Sequence, residues 1–322
     1  MRKPDMMGGM ILRELPSPLP TFSAADLQLM DFPPIQYVIP GYVVEGLTIL
    51  AGKPKLGKSW LALDWALATA YGDIACGSIP CEGGNVLYAA LEDNQRRLKR
   101  RMQQLLPDGA WPSRLDLMTK CRRLNEGGIE DLAQWVEQTE MPRLIVLDTL
   151  ACVRPVRTSK DAAYDADYAA LSPLQKMAGE RNIAIVVVHH VRKLESEDPL
   201  DTISGTTGLT GATDSALVLS RDGQGATLYG RGRDIDEIET AMHFDKTTGR
   251  WSILGAAAEV RKSDGRKSIT DALAASKDPM GPSDIATATG MKNDNVRFLL
   301  GKMATAGEIE KVGRGRYILR PS

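Results

Sequence analysis

The chain of 322 residues is short of the side chains that build metal frameworks and disulfide scaffolds, holding four cysteines and three histidines. Cys76, Cys81, Cys121 and Cys152 form no C-x-x-C pair. This excludes a zinc framework, and a chain of this length has no need of covalent staples. Reduced, buried thiols in a cytoplasmic protein are the plain reading. No apolar run approaches the roughly 18 residues of a membrane span, because Gly, Pro or a charge interrupts each one. Arg2-Lys3 is followed by no apolar core, so the N-terminus does not read as a secretory signal. An excess of one charge is also missing: 40 Lys and Arg stand against 41 Asp and Glu, a formal net charge of -1. A protein that coats a polyanion along its whole length is thereby excluded. The balance is uneven, however, since residues 261–322 carry 12 Lys/Arg against 7 Asp/Glu and the body before them is acidic. A basic end on an acidic body points to an appended nucleic-acid module.

What is present is a globular composition, 43% hydrophobic and 25% charged, which excludes wholesale disorder. Residues 1–40 are rich in Pro and Met and read as an extended arm. From there to residue 255 apolar strands alternate with helices: strands at Leu47–Leu50, Val86–Leu91, Leu144–Leu147 and Ile183–Val188, helices at Lys58–Tyr71, Asn94–Leu106 and Tyr164–Arg181. This rhythm predicts an α/β domain with a mainly parallel sheet flanked by helices. Short strands at Ala216–Leu219, Thr227–Tyr229, Thr240–Phe244 and Trp251–Leu254 read as antiparallel additions. Residues 256–267 read as a linker and 268–322 as a separate small domain.

Gly52-Lys53-Pro54-Lys55-Leu56-Gly57-Lys58-Ser59 fits G-x-x-x-x-G-K-[ST], directly after a strand and directly opening a helix that continues with Trp60. Glycines let the loop amides turn onto phosphate oxygens, and the helix N-terminus adds partial positive charge. Lys58 is then the residue that bridges the β- and γ-phosphates, and Ser59 a ligand of Mg²⁺. Leu144-Ile145-Val146-Leu147-Asp148 supplies the matching buried strand ending in an acid, with Asp148 on the metal through water. Glu92, at the end of another strand, is the candidate to activate the attacking water; alternatively Glu92 and Asp93 both cap the next helix, a role assigned to Asp93. His189 and His190 reach the same edge of the sheet, where a polar side chain can sense the γ-phosphate.

Taken in order, these motifs resemble the RecA-like ATPases of the RepA type, the hexameric replicative helicases of plasmids and mobile elements. The residues that carry the likeness are Gly52–Ser59, Leu91-Glu92-Asp93 before an Arg-rich helix, Leu147-Asp148-Thr149 and Val188-His189-His190-Val191-Arg192-Lys193. Ser204-Gly205-Thr206-Thr207 and Gly230-Arg231-Gly232-Arg233-Asp234 complete the order. The resemblance covers roughly residues 33–250. It implies a homo-oligomeric ring, a hexamer by the family's pattern, with ATP and Mg²⁺ bound between neighbours and single-stranded DNA in the channel. It further implies that His190 is the sensor and that Arg233, or Arg231 in its place, is an arginine finger reaching the adjacent subunit. A surface arginine paired with Asp234 or Asp236 is the other reading. The Ser204–Thr213 loop would line the channel, gripping DNA through Ser204, Gly205 and Thr206, with Arg192 and Lys193 supplying charge nearby.

In the basic C-terminal region, helices are expected over Ser268–Ala275, Pro282–Thr289 and Asn293–Ala306, followed by a hairpin over Ile309–Leu319. Val296, Leu299, Leu300 and Met303 keep one buried face of the third helix and leave Asn293, Asn295, Arg297 and Lys302 toward solvent. With Arg314 and Arg316 on the hairpin, the pattern resembles a winged helix-turn-helix, which would place Asn295, Arg297, Arg314 and Arg316 on duplex DNA. A protein-contact module with solvated charges is the alternative. Three functions follow: an ATP-dependent DNA motor, an ATP-switched loader or regulator that unwinds nothing, or a filament-forming recombination ATPase.

Overall fold

The computed structural model describes residues 21–156, 163–191, 196, 198–203, 208–276 and 278–319. It divides into two units, one ending at Ile35 and one beginning at Gln36. In the first, a short helix over Ala24–Gln28 is closed by a capping box in which Ser23 and Asp26 satisfy each other's backbone N–H.

The second unit is built on a nine-stranded sheet. Its strands are β1 (Gly46–Gly52), β2 (Asn85–Ala90), β3 (Leu115–Met118), β4 (Pro142–Asp148), β5 (Ala184–His190), β6 (Ser215–Asp222), β7 (Gly225–Gly232), β8 (Ile238–Asp245) and β9 (Arg250–Ala256). The spatial order is β9-β8-β7-β6-β1-β5-β4-β2-β3. The six strands from β6 to β3 run parallel and β7, β8 and β9 are added antiparallel. All seven residues of β1 are buried, as are the last five of β4, because helices cover both faces of the parallel part. On one face lie α1 (Lys58–Tyr71) and α2 (Gln95–Leu105), sharing a core with Tyr88, Trp65 and Trp251. On the other lie α3 (Gly128–Gln138) and α4 (Ala163–Arg181), packed on Ile49, Ile145 and Val187. The mainly parallel α/β expectation is what the structure has.

Several local expectations differ from the structure. The edge strand β3 and helix α3 were not anticipated, since Leu115–Met118 is half exposed and reads as neither period. The hairpin that closes Tyr37–Ile39 on Val43–Val44 buries Val38 and Ile39, so the arm expected to end at residue 40 already enters the core there. The stretch 256–267, read as a linker, forms the first half of one helix, α5 (Ala257–Ala275), which follows β9 without a break. Arg261 on α5 pins it to the sheet by donating to Glu239 at 2.9 Å and to the Tyr229 hydroxyl at 3.2 Å. Beyond it, α6 (Pro282–Thr289), α7 (Asn293–Thr305) and a hairpin of Ile309–Lys311 with Tyr317–Leu319 enclose a separate cluster including Ile269, Leu273, Ile285 and the four residues expected on the buried face of α7. Among the described residues no helix is long and apolar enough to cross a membrane.

Candidate nucleotide site

The parallel strands bring their C-terminal ends to one rim, where open α/β sheets bind ligands. The phosphate-loop sequence lies between β1 and α1, and its shape depends on two left-handed residues, Lys55 at φ 64° and Gly57 at φ 102°. A Cβ on Gly57 would stand 3.1 Å from the Trp251 ring, whose Nε1 donates to the Gly57 carbonyl at 3.1 Å. Trp251 therefore roofs the loop from strand β9, almost 200 residues later, and nothing local in the sequence signals it. Lys53, Pro54 and Lys55 are exposed at the tip, and Leu56 is partly buried. The Trp60 side chain packs on Phe244, with the Arg101 guanidinium over its ring.

Lys58, the first residue of α1, is buried and donates to the carbonyls of Gly52 at 2.7 Å and Lys53 at 3.0 Å. Burial pushes its ammonium down to about 8, against the pull of the Asp148 and Glu92 carboxylates. Register accounts for their meeting: Gly52 pairs with His190, and Asp148 pairs with both Val188 and Ala90. Four strand ends thus come within two residues of one another, and Lys58 Nζ lies 3.2 Å from His190 Nδ1. His190 Nε2 in turn lies 3.8 Å from Glu92 Oε1, which accepts a hydrogen bond from Thr149 at 3.1 Å. Asp148 Oδ2 accepts from the buried Tyr88 hydroxyl at 2.9 Å. Its other oxygen, Oδ1, is buried and has no partner among the described residues. Burial raises the Asp148 carboxyl, while the nearby Ser59 and Tyr88 hydroxyls oppose the rise. Tyr88 and Thr149 are functional neighbours that the sequence analysis missed; the only signal was their position within or just beyond strands that end at this rim.

Asp93, expected to cap the helix after Glu92, does not. Asn94 takes the cap, its side chain accepting from Arg97 N at 2.9 Å, and the Asp93 carboxylate is gripped by Arg97 and Arg101. The reason is geometric: Asn94 has the extended backbone that an N-cap requires one residue before the helix.

The donor set fits a nucleoside triphosphate with a divalent ion. A lysine ammonium and a helix N-terminus would face phosphate, and the buried Asp148 carboxylate close to Ser59 keeps an oxygen with no partner among the described residues. Among the described residues no cluster of three or more His, Cys, Asp or Glu side chains is placed to hold a metal. A divalent ion here would therefore take most of its oxygens from phosphate and water, as Mg²⁺ does in such sites.

His189, one residue before the sensor candidate, is pushed down to about 4 by burial and by the neighbouring His190. A histidine held neutral in the fold and free to charge when unfolded stabilises fully above about pH 6.5, and that contribution is lost as pH falls toward 4. Urea unfolding is expected to show roughly 2 kcal/mol lost between pH 6.5 and pH 5 from this residue. His189→Asn should flatten that limb, and an unchanged pH dependence would show that the ring is not held neutral.

The remaining site candidates lie elsewhere. Arg231 and Arg233 stand at the opposite end of the sheet. Gly232 pairs with Ser215 and Ser215 with Thr48, four residues before Gly52 and roughly 13 Å back along the strand. Neither arginine pairs with Asp234 or Asp236; Arg231 holds Glu237 and Asp198, and Arg233 holds Asp214. Arg192, Lys193, Ser204, Gly205 and Thr206 lie outside the described residues. In the C-terminal part Arg297 and Arg314 are exposed. Arg316 is tied back to the Pro279 carbonyl and Asp284. Asn293 is not free in solvent but donates to Ser283 at 3.0 Å, and Asn295 lines a cleft of about 650 Å³ shared with Gln224 of the β6–β7 turn.

Comparison with known proteins agrees with this architecture. No curated protein matches the chain significantly. Among solved structures, the ATPase domain of G40P superposes with a TM-score of 0.53 at 15% identity, over 65% of this chain and 85% of that one. A DnaB-like replicative helicase, described with its interactions with primase, superposes with a TM-score of 0.54 at 15% identity over 71% of this chain. The match spans 66% of that helicase chain, just under two thirds of its length. These likenesses establish the RecA-like P-loop fold. The AAA domain family matches residues 13–196, more than half of the sequence and the whole stretch from the phosphate loop through His190, and the chain belongs to that family.

Proposed function

We propose that the chain is an ATP-dependent DNA motor, a replicative helicase of the RepA type that forms a ring, with six subunits the expected number. Mg-ATP is hydrolysed at its subunit interfaces as it moves on single-stranded DNA. The observation that carries this reading is a divided site: Lys58, Asp148, Glu92 and His190 converge on one rim, while Arg233 stands at the other end of its own sheet. A finger so placed serves a neighbour's phosphates in a head-to-tail ring, where every subunit offers both halves.

Bound Mg-ATP supplies the bond to be cleaved and the metal's charge. Lys58 would hold the β- and γ-phosphates, and Ser59 and Asp148 would hold the ion, with Tyr88 fixing the second carboxylate oxygen. Glu92 accepts the proton of the attacking water, oriented by the Thr149 hydroxyl. His190 touches Lys58 on one side and approaches Glu92 on the other, so it is the group best placed to feel the γ-phosphate leave. The C-terminal helices and hairpin we read as a winged helix-turn-helix that adds duplex contacts through Arg297 and Arg314.

Lys58→Ala tests the core of this reading. ATP affinity is expected to fall roughly 10–100-fold, the loss of one charge-assisted contact, and strand separation to vanish, as measured by nucleotide titration and a forked-duplex assay. Unchanged nucleotide affinity would overturn the site. ATPase stimulated by single-stranded DNA without strand separation in the wild-type protein would make it the loader or regulator instead.

A further inference from the structure

Arg233 raises a question of support. A side chain that acts on another subunit has to be aimed by its own, before the target arrives. The residue that does this is not among the motifs. Asp214 lies just before β6, and its Oδ1 accepts from Arg233 at 3.1 Å and from Gln175 on α4 at 2.9 Å. Its Oδ2 accepts from the Leu47 amide of β1 at 2.8 Å. The backbone repeats the connection, with Asp214 N donating to Leu47 O and Arg233 N donating to Asp214 O, both at 2.9 Å. One carboxylate therefore ties the guanidinium to the central strand and to a helix on the sheet's face. The Asp214 side chain is 17% exposed and that of Arg233 62%, so the carboxylate belongs to the scaffold and the guanidinium keeps its remaining donors outward.

Two glycines make room for this arrangement. Gly46 has φ +104°, and a Cβ there would lie 2.8 Å from Asp214 Oδ2; a Cβ on Gly232 would lie 3.0 Å from the Asp214 carbonyl and 2.3 Å from Ser215 Oγ. Arg231 has no such mount, since both its partners, Glu237 and Asp198, are surface acids. This difference separates the two candidate fingers that the sequence left open.

We infer that Asp214 is the positioning residue of Arg233: it holds the finger at the angle that a neighbouring subunit's nucleotide meets. The inference rests on the trans role given to Arg233 above.

The test is Asp214→Asn, which keeps size and removes the charge that three donors share. Turnover is expected to fall about 10–100-fold, the usual effect of losing an orienting partner, with KM for ATP within a factor of three of wild type, about 0.65 kcal/mol. The decisive reading comes from mixing subunits. Lys58→Ala subunits lack a working pocket but keep Asp214 and Arg233, so adding them to Asp214→Asn subunits should restore hydrolysis in the pockets they face. Arg233→Ala mixed with Lys58→Ala is the reference. If that reference gains nothing, the trans finger fails and the inference with it. If the reference gains and the Asp214→Asn mixture does not, Asp214 acts only inside its own subunit and the inference alone is overturned, as it is if Asp214→Asn turns over like wild type. Should Asp214→Asn not fold, Gln175→Leu removes one donor from the same carboxylate, and the same pattern at smaller amplitude is expected.

Discussion

Arg233→Ala is expected to lower turnover by about 10³–10⁵-fold, the range found when an arginine finger is withdrawn from a phosphoryl-transfer site. Nothing in the isolated chain would suggest so large an effect. The side chain is largely exposed and, among the described residues, makes one side-chain ion pair, of a kind that contributes at most about 1 kcal/mol to folding. Stability and nucleotide affinity should therefore stay close to wild type while hydrolysis collapses, a separation that simple damage does not produce. The physical cause is the position of β7: antiparallel to β6, it carries its last residues away from the rim where Gly52 ends β1. A cation there cannot stabilise charge in its own pocket. Steady-state hydrolysis, thermal unfolding and nucleotide titration on one preparation decide the matter. Hydrolysis within a factor of three of wild type would remove Arg233 from the chemistry and return it to the surface reading.

Glu92→Gln should lower turnover by about 10²–10⁴-fold, the contribution of a positioned general base, while leaving ATP bound as tightly as before. Glutamine keeps the oxygen that accepts from Thr149, so the local structure survives and only the proton acceptor is lost. The side chain is 52% exposed, open to an attacking water, and its Oε1 lies 3.8 Å from His190 Nε2. In this variant the nucleotide-loaded assembly should persist, which single-turnover kinetics and particle mass with ATP would both report. Equal losses of affinity and turnover would mean that Glu92 holds the nucleotide instead of activating water.

These two residues differ in how openly the sequence displayed them. Glu92 ends an apolar run at the interval expected of a strand feeding a ligand rim, and the α/β alternation placed it there without coordinates. The phosphate loop and Asp148 were legible for the same reason, since each motif is a contiguous stretch whose strand or helix is set by local periodicity. Where local signals were faint, the reading failed. β3 is short and half exposed, Asn94 and Asp93 compete for one cap, and the polar stretch after residue 256 hides a helix that is held by Arg261 on the sheet.

Residue types and their order along the chain determined that there is a phosphate loop, an acid-ended buried strand and a parallel sheet with helices on both faces. Tertiary structure alone decided that Trp251 roofs the loop, that Tyr88 braces Asp148, and that Asp214 takes hold of Arg233 from between β1 and α4. Hydrogen bonds within a helix or turn join residues a few positions apart and leave a pattern in the sequence. These contacts join residues separated by 19 to 194 positions. They exist because strand order and register bring distant segments level, a choice made by packing the whole core.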